Sequence, residues 1–347
     1  MSPIIRELQR RGIDFFILHT GQHYDYDMDG AFFDELRIPS PNYNLRVGSG
    51  SHAEQCSKII TGSEKVLLEE KPDMTLVQGD TNTVLAASLV ASKLHFYLGH
   101  VEAGLRSFDR SMSEEINRVV ADHLSSILFA PTEVSKANLL QEGRPEKIIH
   151  VTGNTIVDVI HQNLELSKTR ESILDDLGIT DANFFLVTIH RAENVDDGYR
   201  LRSMLSALRK IGELYGLPVV FPVHPRTLKM IDRFDLSSGG LIAIPPLGYL
   251  EFLSLASRAR LLLTDSGGIQ EEACVLGRPC VTLRENTERP ETVDVGANIL
   301  AGTDVEGILA SVERMLGVRG RWVNPYGDGE SGRRIVSIIE DLYKRGR

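Results

Sequence analysis

Short apolar runs without polar alternation recur along this chain, separated by stretches of helical periodicity. They fall at residues 74–77, 96–101, 127–130 and 148–151 in the first half, and at 184–189, 219–223, 241–244, 261–264 and 279–283 in the second. Runs of this kind suit strands buried on both faces. Strands alternating with helices predict parallel sheets covered by helices on each side. Two such series predict an α/β fold of two Rossmann-like domains facing a central cleft. The expected division is residues 1–160, joined by a C-terminal helix within 331–347, and residues 161–330, with a long helical stretch at 155–177 as the bridge. The chain opens on a helix, with Ser2 read as its N-cap, Pro3 at its first position and Gly12 as its stop. A strand at 14–19 follows.

Composition narrows the function classes. The chain has 347 residues and a formal net charge of −10, which disfavours nucleic acid and anionic membrane as partners. Its three cysteines, Cys56, Cys274 and Cys280, form no CxxC pair, as suits a reducing cytoplasm rather than a disulfide framework or thiolate metal site. No apolar run approaches membrane-spanning length, and the opening residues carry charge too early for a signal peptide.

Polar, chemically capable residues gather just after the strands: Gln22-His23, Asp80, Glu102, His190-Arg191, His224, Ser266 and Arg289. In open α/β sheets ligands bind outside the carboxyl ends of the strands. The stretch Leu261-Leu-Leu-Thr-Asp-Ser266-Gly267-Gly268-Ile-Gln-Glu271-Glu272-Ala273 runs from an apolar strand through Ser-Gly-Gly into a helix. Such a helix start leaves N–H groups unpaired at the positive end of the dipole and favours a phosphate. An ordinary βα turn capped by Ser266 explains the same residues.

Each remaining candidate also has two readings. Asp80, in Asp-Thr-Asn-Thr, suits an N-cap better than a catalytic carboxylate when read alone. Glu102 closes an apolar strand and is either a general acid/base or the partner of Arg106. Glu114 and Glu115 suit first-turn acids behind a Ser113 cap, with Glu114 and Arg118 paired at i,i+4. His190 is a strand-tip histidine or a hydrogen-bonded loop residue. Arg284 and Arg289 clamp a diphosphate or decorate a charged loop. The ten histidines show no metal-ligand spacing, so no metal is expected.

Taken together, Gln78-Gly-Asp80-Thr, His100-Val-Glu102-Ala-Gly-Leu-Arg, Glu114-Glu-Ile-Asn-Arg118, Thr152-Gly-Asn154-Thr, His190-Arg-Ala-Glu-Asn194, Val223-His-Pro225, Thr264-Asp-Ser266-Gly-Gly-Ile-Gln-Glu-Glu272 and Thr287-Glu-Arg289-Pro-Glu occur in one order over nearly the whole chain. The set resembles the non-hydrolysing UDP-N-acetylglucosamine 2-epimerase family. The resemblance implies the GT-B fold and interconversion of UDP-GlcNAc and UDP-ManNAc, with UDP eliminated to give 2-acetamidoglucal and then added back. No cofactor is implied, neither nicotinamide nor metal. By motif, Asp80, Glu102 and Glu114 match the catalytic carboxylates and His190 the functional histidine beside the nucleotide. Ser266, Gly267 and Gly268 match the diphosphate contacts, Glu272 a ribose contact, Phe252 the uracil packing position, and Arg118 and Arg289 substrate-binding arginines. Gln22, His23 and His224 match an allosteric UDP-GlcNAc site, and a homodimer is implied.

The resemblance has one departure. The family begins with a strand and a Gly-Thr-Arg-Pro-Glu turn followed by a lysine, ahead of the helix with which this chain starts. Lower stability of the first domain and impaired turnover are expected from that difference. Three other readings stay open at this point: an epimerase or hydrolase of a modified UDP-HexNAc such as a 2,3-diacetamido uronic acid, a GT-B glycosyltransferase, and a non-catalytic UDP-sugar binder.

Overall fold

A computed structural model describes residues 1–21, 33, 38–170, 172–179 and 183–344. The chain divides into two compact units, one of Met1–Val159 with Tyr326–Arg347 and one of Ile160–Pro325. Each is α/β, and every strand pairing among the described residues is parallel.

In the first unit, β1 (Leu18–His19) pairs only with β2 (Tyr43–Asn44) among the described residues. A separate sheet runs in the order β3 (Met74–Gln78), β4 (Tyr97–Val101), β5 (Ile127–Ala130) and β6 (Ile149–Val151). The strand expected over 14–19 is thus only two residues long, because pairing to β2 spans only Leu18 and His19. The opening helix is Ser2–Arg11, with Met1 rather than Ser2 at the N-cap and Gly12 in the left-handed region at its end. It packs against the C-terminal helix Ser331–Lys344, and their shared core holds Ile4, Ile335 and Val336 against Val101, Ile127 and Phe129. A Cβ at Gly332 would stand 2.9 Å from the Pro3 carbonyl carbon, so only glycine allows that approach. Asp158 closes the C-terminal helix by accepting from the Ser331 and Gly332 N–H groups at 3.2 and 2.8 Å.

The bridging stretch 155–177 is not one helix. It is a helix Thr155–Ser167, a 3-10 turn Lys168–Arg170 and a short helix Ser172–Asp176. The Ser167 and Thr169 hydroxyls donate back to the Leu164 and Leu166 carbonyls at 2.7 Å, a local competition that interrupts helices.

The second unit has a sheet in the order β12 (Asn298–Leu300), β11 (Cys280–Thr282), β10 (Leu261–Thr264), β7 (Phe185–Thr188), β8 (Val219–Pro222), β9 (Ile242–Ile244). Its continuous apolar runs are explained by burial on both faces. Phe185, Val187, Leu261, Leu263, Val219 and Phe221 point to one core, with helices Gly198–Tyr215 and Val305–Leu316 over it. The alternating Leu186, Leu262 and Val220 point to the other, which includes Leu255 and Ala256 of helix Tyr249–Arg258.

Candidate active site

The strand order of the second unit fixes where its ligand residues emerge. From β7 the chain moves outward through β8 and β9, then returns to β10 on the other side of β7 and continues to β11 and β12. The reversal lies between β7 and β10, and such switch points open a crevice at the strands' carboxyl ends. These two strands end in register at Thr188 and Thr264, whose hydroxyls are 2.6 Å apart. His190 and Ser266 therefore leave the sheet side by side.

Asp265, fully buried, ties the two exits together. It accepts from the backbone N–H groups of His190 and Arg191 at 3.1 and 3.0 Å and from Asn194 Nδ2 at 3.1 Å, and lies 3.2 Å from His190 Nδ1. Burial opposes its charge, but the bonds from His190, Arg191 and Asn194 outweigh it and hold the carboxyl below its ordinary range. In the sequence Asp265 is one residue of the Thr-Asp-Ser-Gly-Gly turn and carries no signal of its own. The His190 ring lies 5.8 Å from that of His224, which caps helix Pro225–Arg233 through Nδ1 at 3.1 Å from Arg226 N–H.

Ser266 is the N-cap of helix Gly267–Val275, yet its side chain makes no capping bond. Helix geometry leaves the Gly267 and Gly268 N–H groups without intrahelical acceptors. Among the described residues a Cβ on Gly268 would meet nothing within 4 Å, and one on Gly267 would lie 3.7 Å from the Arg289 guanidinium carbon. An open helix start beside a guanidinium is suited to an anion. Arg289 is held by Glu271, with Nε 2.5 Å from Oε1. On the same helix Glu272 is buried and its Oε2 has no hydrogen-bond partner among the described residues. Burial pushes that carboxyl up to about 7. Phe252, on helix Tyr249–Arg258, is partly buried against the Leu186 and Val220 core.

In the first unit, β3 and β4 end in register at Gln78 and Val101, so Asp80 and Glu102 emerge from neighbouring strands. Asp80 is not a cap. Thr81 precedes helix Asn82–Lys93, and the Asp80 carboxylate is ion-paired with Arg118. Arg118 lies on helix Ser113–Leu124 and also pairs with Glu115 at 2.7 Å. The expected Glu114–Arg118 pairing is therefore replaced by an i,i+3 pair, because Glu115 is the acid turned inward. Its carboxylate accepts from the Ser107 and Phe108 N–H groups at 2.9 and 3.1 Å. Glu114 accepts from Ser113 Oγ at 3.0 Å, and the N-cap is Met112 rather than Ser113. Glu102 stands at a positive φ of 69 and accepts a bond from Gln78 Nε2. Arg106, its expected partner, pairs instead with Asp122 and Glu142 at 2.7 and 2.6 Å. Gln22 and His23 lie outside the described residues.

A profile of UDP-N-acetylglucosamine 2-epimerase matches residues 6–340. The chain is 54% identical over 346 residues to the UDP-N-acetylglucosamine 2-epimerase of Methanocaldococcus jannaschii, covering 98% of this chain and 94% of that one. It is 42% identical to the UDP-2,3-diacetamido-2,3-dideoxy-D-glucuronate 2-epimerase of Pseudomonas aeruginosa, over 96% of this chain and 94% of that one. The crystal structure of the Methanocaldococcus jannaschii enzyme in complex with UDP-GlcNAc and UDP superposes with a TM-score of 0.93, covering 98% of this chain and 95% of that one. The fold class is α/β of the GT-B type. Among the described residues no helix is long and apolar enough to cross a membrane. With a family profile matching residues 6–340, 54% identity over 98% of the chain and a TM-score of 0.93 to a solved member, this chain belongs to the UDP-N-acetylglucosamine 2-epimerase family.

Proposed function

We propose that this chain is an isomerase that interconverts UDP-GlcNAc and UDP-ManNAc. The observation that carries the reading is the 54% identity, over nearly the full chain, to a UDP-N-acetylglucosamine 2-epimerase. The C2 proton of the sugar is not acidic, since no carbonyl adjoins it. Its removal must accompany or follow departure of the diphosphate. The C1–O bond breaks with its electron pair going to UDP, a base takes the C2 proton, and C1=C2 forms as 2-acetamidoglucal. Protonation of the opposite face of C2 and attack of a UDP oxygen on C1 complete the inversion.

The residues suit those steps. Asp80, Glu102 and Glu114 supply acid/base groups. The Ser266-Gly267-Gly268 helix start and Arg289 stabilise the leaving diphosphate, with His190 beside them. Glu272 accepts ribose hydroxyls, Phe252 packs the uracil and Arg118 orders the carboxylates. His224, next to His190, is a candidate for a second UDP-GlcNAc contact. The protein works in the cytoplasm as a homodimer and needs no cofactor.

Incubation with UDP-GlcNAc in heavy water tests the reading. Deuterium at C2 and accumulation of UDP-ManNAc are expected. Free ManNAc with UDP would indicate a hydrolase. Exchange only with a UDP-2,3-diacetamido uronate would move the substrate to that of the 42% identical relative. No exchange with any of these sugars would overturn the epimerase assignment.

A further inference from the structure

The three carboxylates given acid/base roles stand on three separate segments, and one buried pair bonds to the turns beside two of them and is part of the helix that carries the third. His100 lies in β4 and Asp122 in helix Ser113–Leu124, and both are fully buried. His100 Nδ1 is 2.7 Å from Asp122 Oδ1, and His100 Nε2 is 2.9 Å from the Gly79 carbonyl oxygen. Asp122 Oδ2 accepts from the Gly104 N–H at 3.1 Å and pairs with Arg106 at 2.7 Å. Gly79 precedes Asp80 and has φ 84, while Gly104 follows Glu102 by two residues and has φ 82. Helix Ser113–Leu124, which carries Asp122, also begins with Glu114.

We propose that the His100–Asp122 pair is a positioning unit that fixes the turns bearing Asp80 and Glu102 against the helix bearing Glu114, with His100 working as a doubly protonated imidazolium. The proposal rests on the acid/base roles given to those three carboxylates. Both acceptors of His100, a carboxylate oxygen and a carbonyl oxygen, lack hydrogens. A neutral ring offers one N–H and one lone pair, so it would set that lone pair against one of them. Two N–H groups satisfy both. The charge is balanced locally. Asp122 and Glu102 are the acids facing the ring, and Arg106 is neutralised by Asp122 and by Glu142. Burial works against the imidazolium, but Asp122 and the Gly79 carbonyl prevail and raise the pKa above the ordinary histidine value. Loss of that proton would release the Gly79 carbonyl and let the Asp80 turn move, and a displacement near 1 Å at reacting groups costs about 100-fold in rate.

The test uses selectively 15N-histidine-labelled wild-type enzyme. One histidine is expected to keep protons on both ring nitrogens at a pH above the ordinary histidine pKa, and its deprotonation should coincide with the alkaline fall in turnover. In H100Q and D122N, kcat should fall about 100-fold while KM for UDP-GlcNAc stays within about twofold, and D122N should move the alkaline limb to lower pH. A histidine set with no doubly protonated ring in the folded protein would overturn the proposal, whatever the activity and even if the variants fail to fold. Turnover that stays constant through that ring's titration would overturn it too. Absence of C2 exchange in the wild type would strike the epimerase assignment instead and leave the ring protonation as a separate result.

Discussion

Asp80 and Arg118 are ion-paired across two elements, the turn after β3 and helix Ser113–Leu124, and the same guanidinium also holds the buried Glu115. The two acids differ in what they lose when the pair is broken. Asp80 is partly exposed, at 29% of its side chain, whereas Glu115 is at 2%. In D80N, Arg118 keeps Glu115, so stability should change little while C2 exchange falls at least about 100-fold, the usual share of a positioned acid or base. In R118Q, Glu115 is left as a buried uncompensated charge, and about 3 kcal/mol of stability should be lost. Urea unfolding and the exchange rate, measured on both variants, check this. An R118Q as stable as wild type would show that the pair does not hold the helix.

Glu272 predicts a pH dependence with a definite sign. Burial raises its carboxyl from 4.5 to about 7 in the folded protein. Below pH 4.5 the group is protonated whether the chain is folded or not, and its contribution is fully present. Between pH 4.5 and 7 the group ionises in the unfolded chain while the folded one keeps its proton, so stability is lost across that window and the loss is complete once pH has risen through 7. The loss is at most about 3 kcal/mol. Denaturant unfolding from pH 4.5 to 8 should show a decline that E272Q flattens; parallel curves for the two proteins would refute it. Ribose hydroxyls donating to the carboxylate would favour its charged form, so UDP binding near pH 6.5 should release protons, seen as a buffer-dependent heat in calorimetry.

Asp265 gives a prediction of opposite sign. Burial opposes its charge, but the His190 ring, the Arg191 N–H and the Asn194 amide bond to it and hold the carboxyl below the ordinary range. The stability it provides is present above the unfolded carboxylate pKa and is lost as pH falls through the folded one. D265N should keep the shape but lose acceptors for His190, Arg191 and Asn194. We expect about 2 kcal/mol of destabilisation and weaker UDP binding, since the loop carrying His190 then loosens. UDP affinity equal to that of wild type would argue that Asp265 supports the fold alone.

Much of the architecture was readable because it depends on local pattern. Leu261-Leu-Leu-Thr264 forms the strand it predicts, and the alternation of strands with helices gives parallel sheets in both units. What could not be read depends on pairing at a distance. Nothing near Asp80 announces that Arg118, 38 residues on, takes its carboxylate. Glu114 and Glu115 are indistinguishable in sequence, and only the helix's rotation turns Glu115 inward toward the Ser107–Phe108 backbone. His100 and Asp122 look like ordinary strand and helix residues until the sheet and helix bring them together. Strand β12, at Asn298–Leu300, is too short to stand out from its flanks. The 3-10 turn at Lys168–Arg170 follows from hydroxyls bonding to nearby carbonyls rather than from any breaker residue.

The glycines of the two units separate a folding role from a binding one. At Gly104 the backbone is left-handed and a Cβ would stand 2.2 Å from the Ser135 carbonyl oxygen. G104A should therefore cost about 3 kcal/mol or prevent folding. At Gly268 a Cβ meets nothing within 4 Å among the described residues, and the residue lies inside helix Gly267–Val275. Alanine there should raise the stability of the free protein, by up to about 1 kcal/mol, since glycine is the weaker helix former. The same methyl would occupy space that a diphosphate needs to reach the helix-start N–H groups. G268A is thus expected to be at least as stable as wild type and to bind UDP at least about tenfold more weakly, a loss of about 1.4 kcal/mol. Thermal unfolding with and without UDP reads both effects at once. Full retention of the UDP-induced stabilisation in G268A would remove the diphosphate from this helix start.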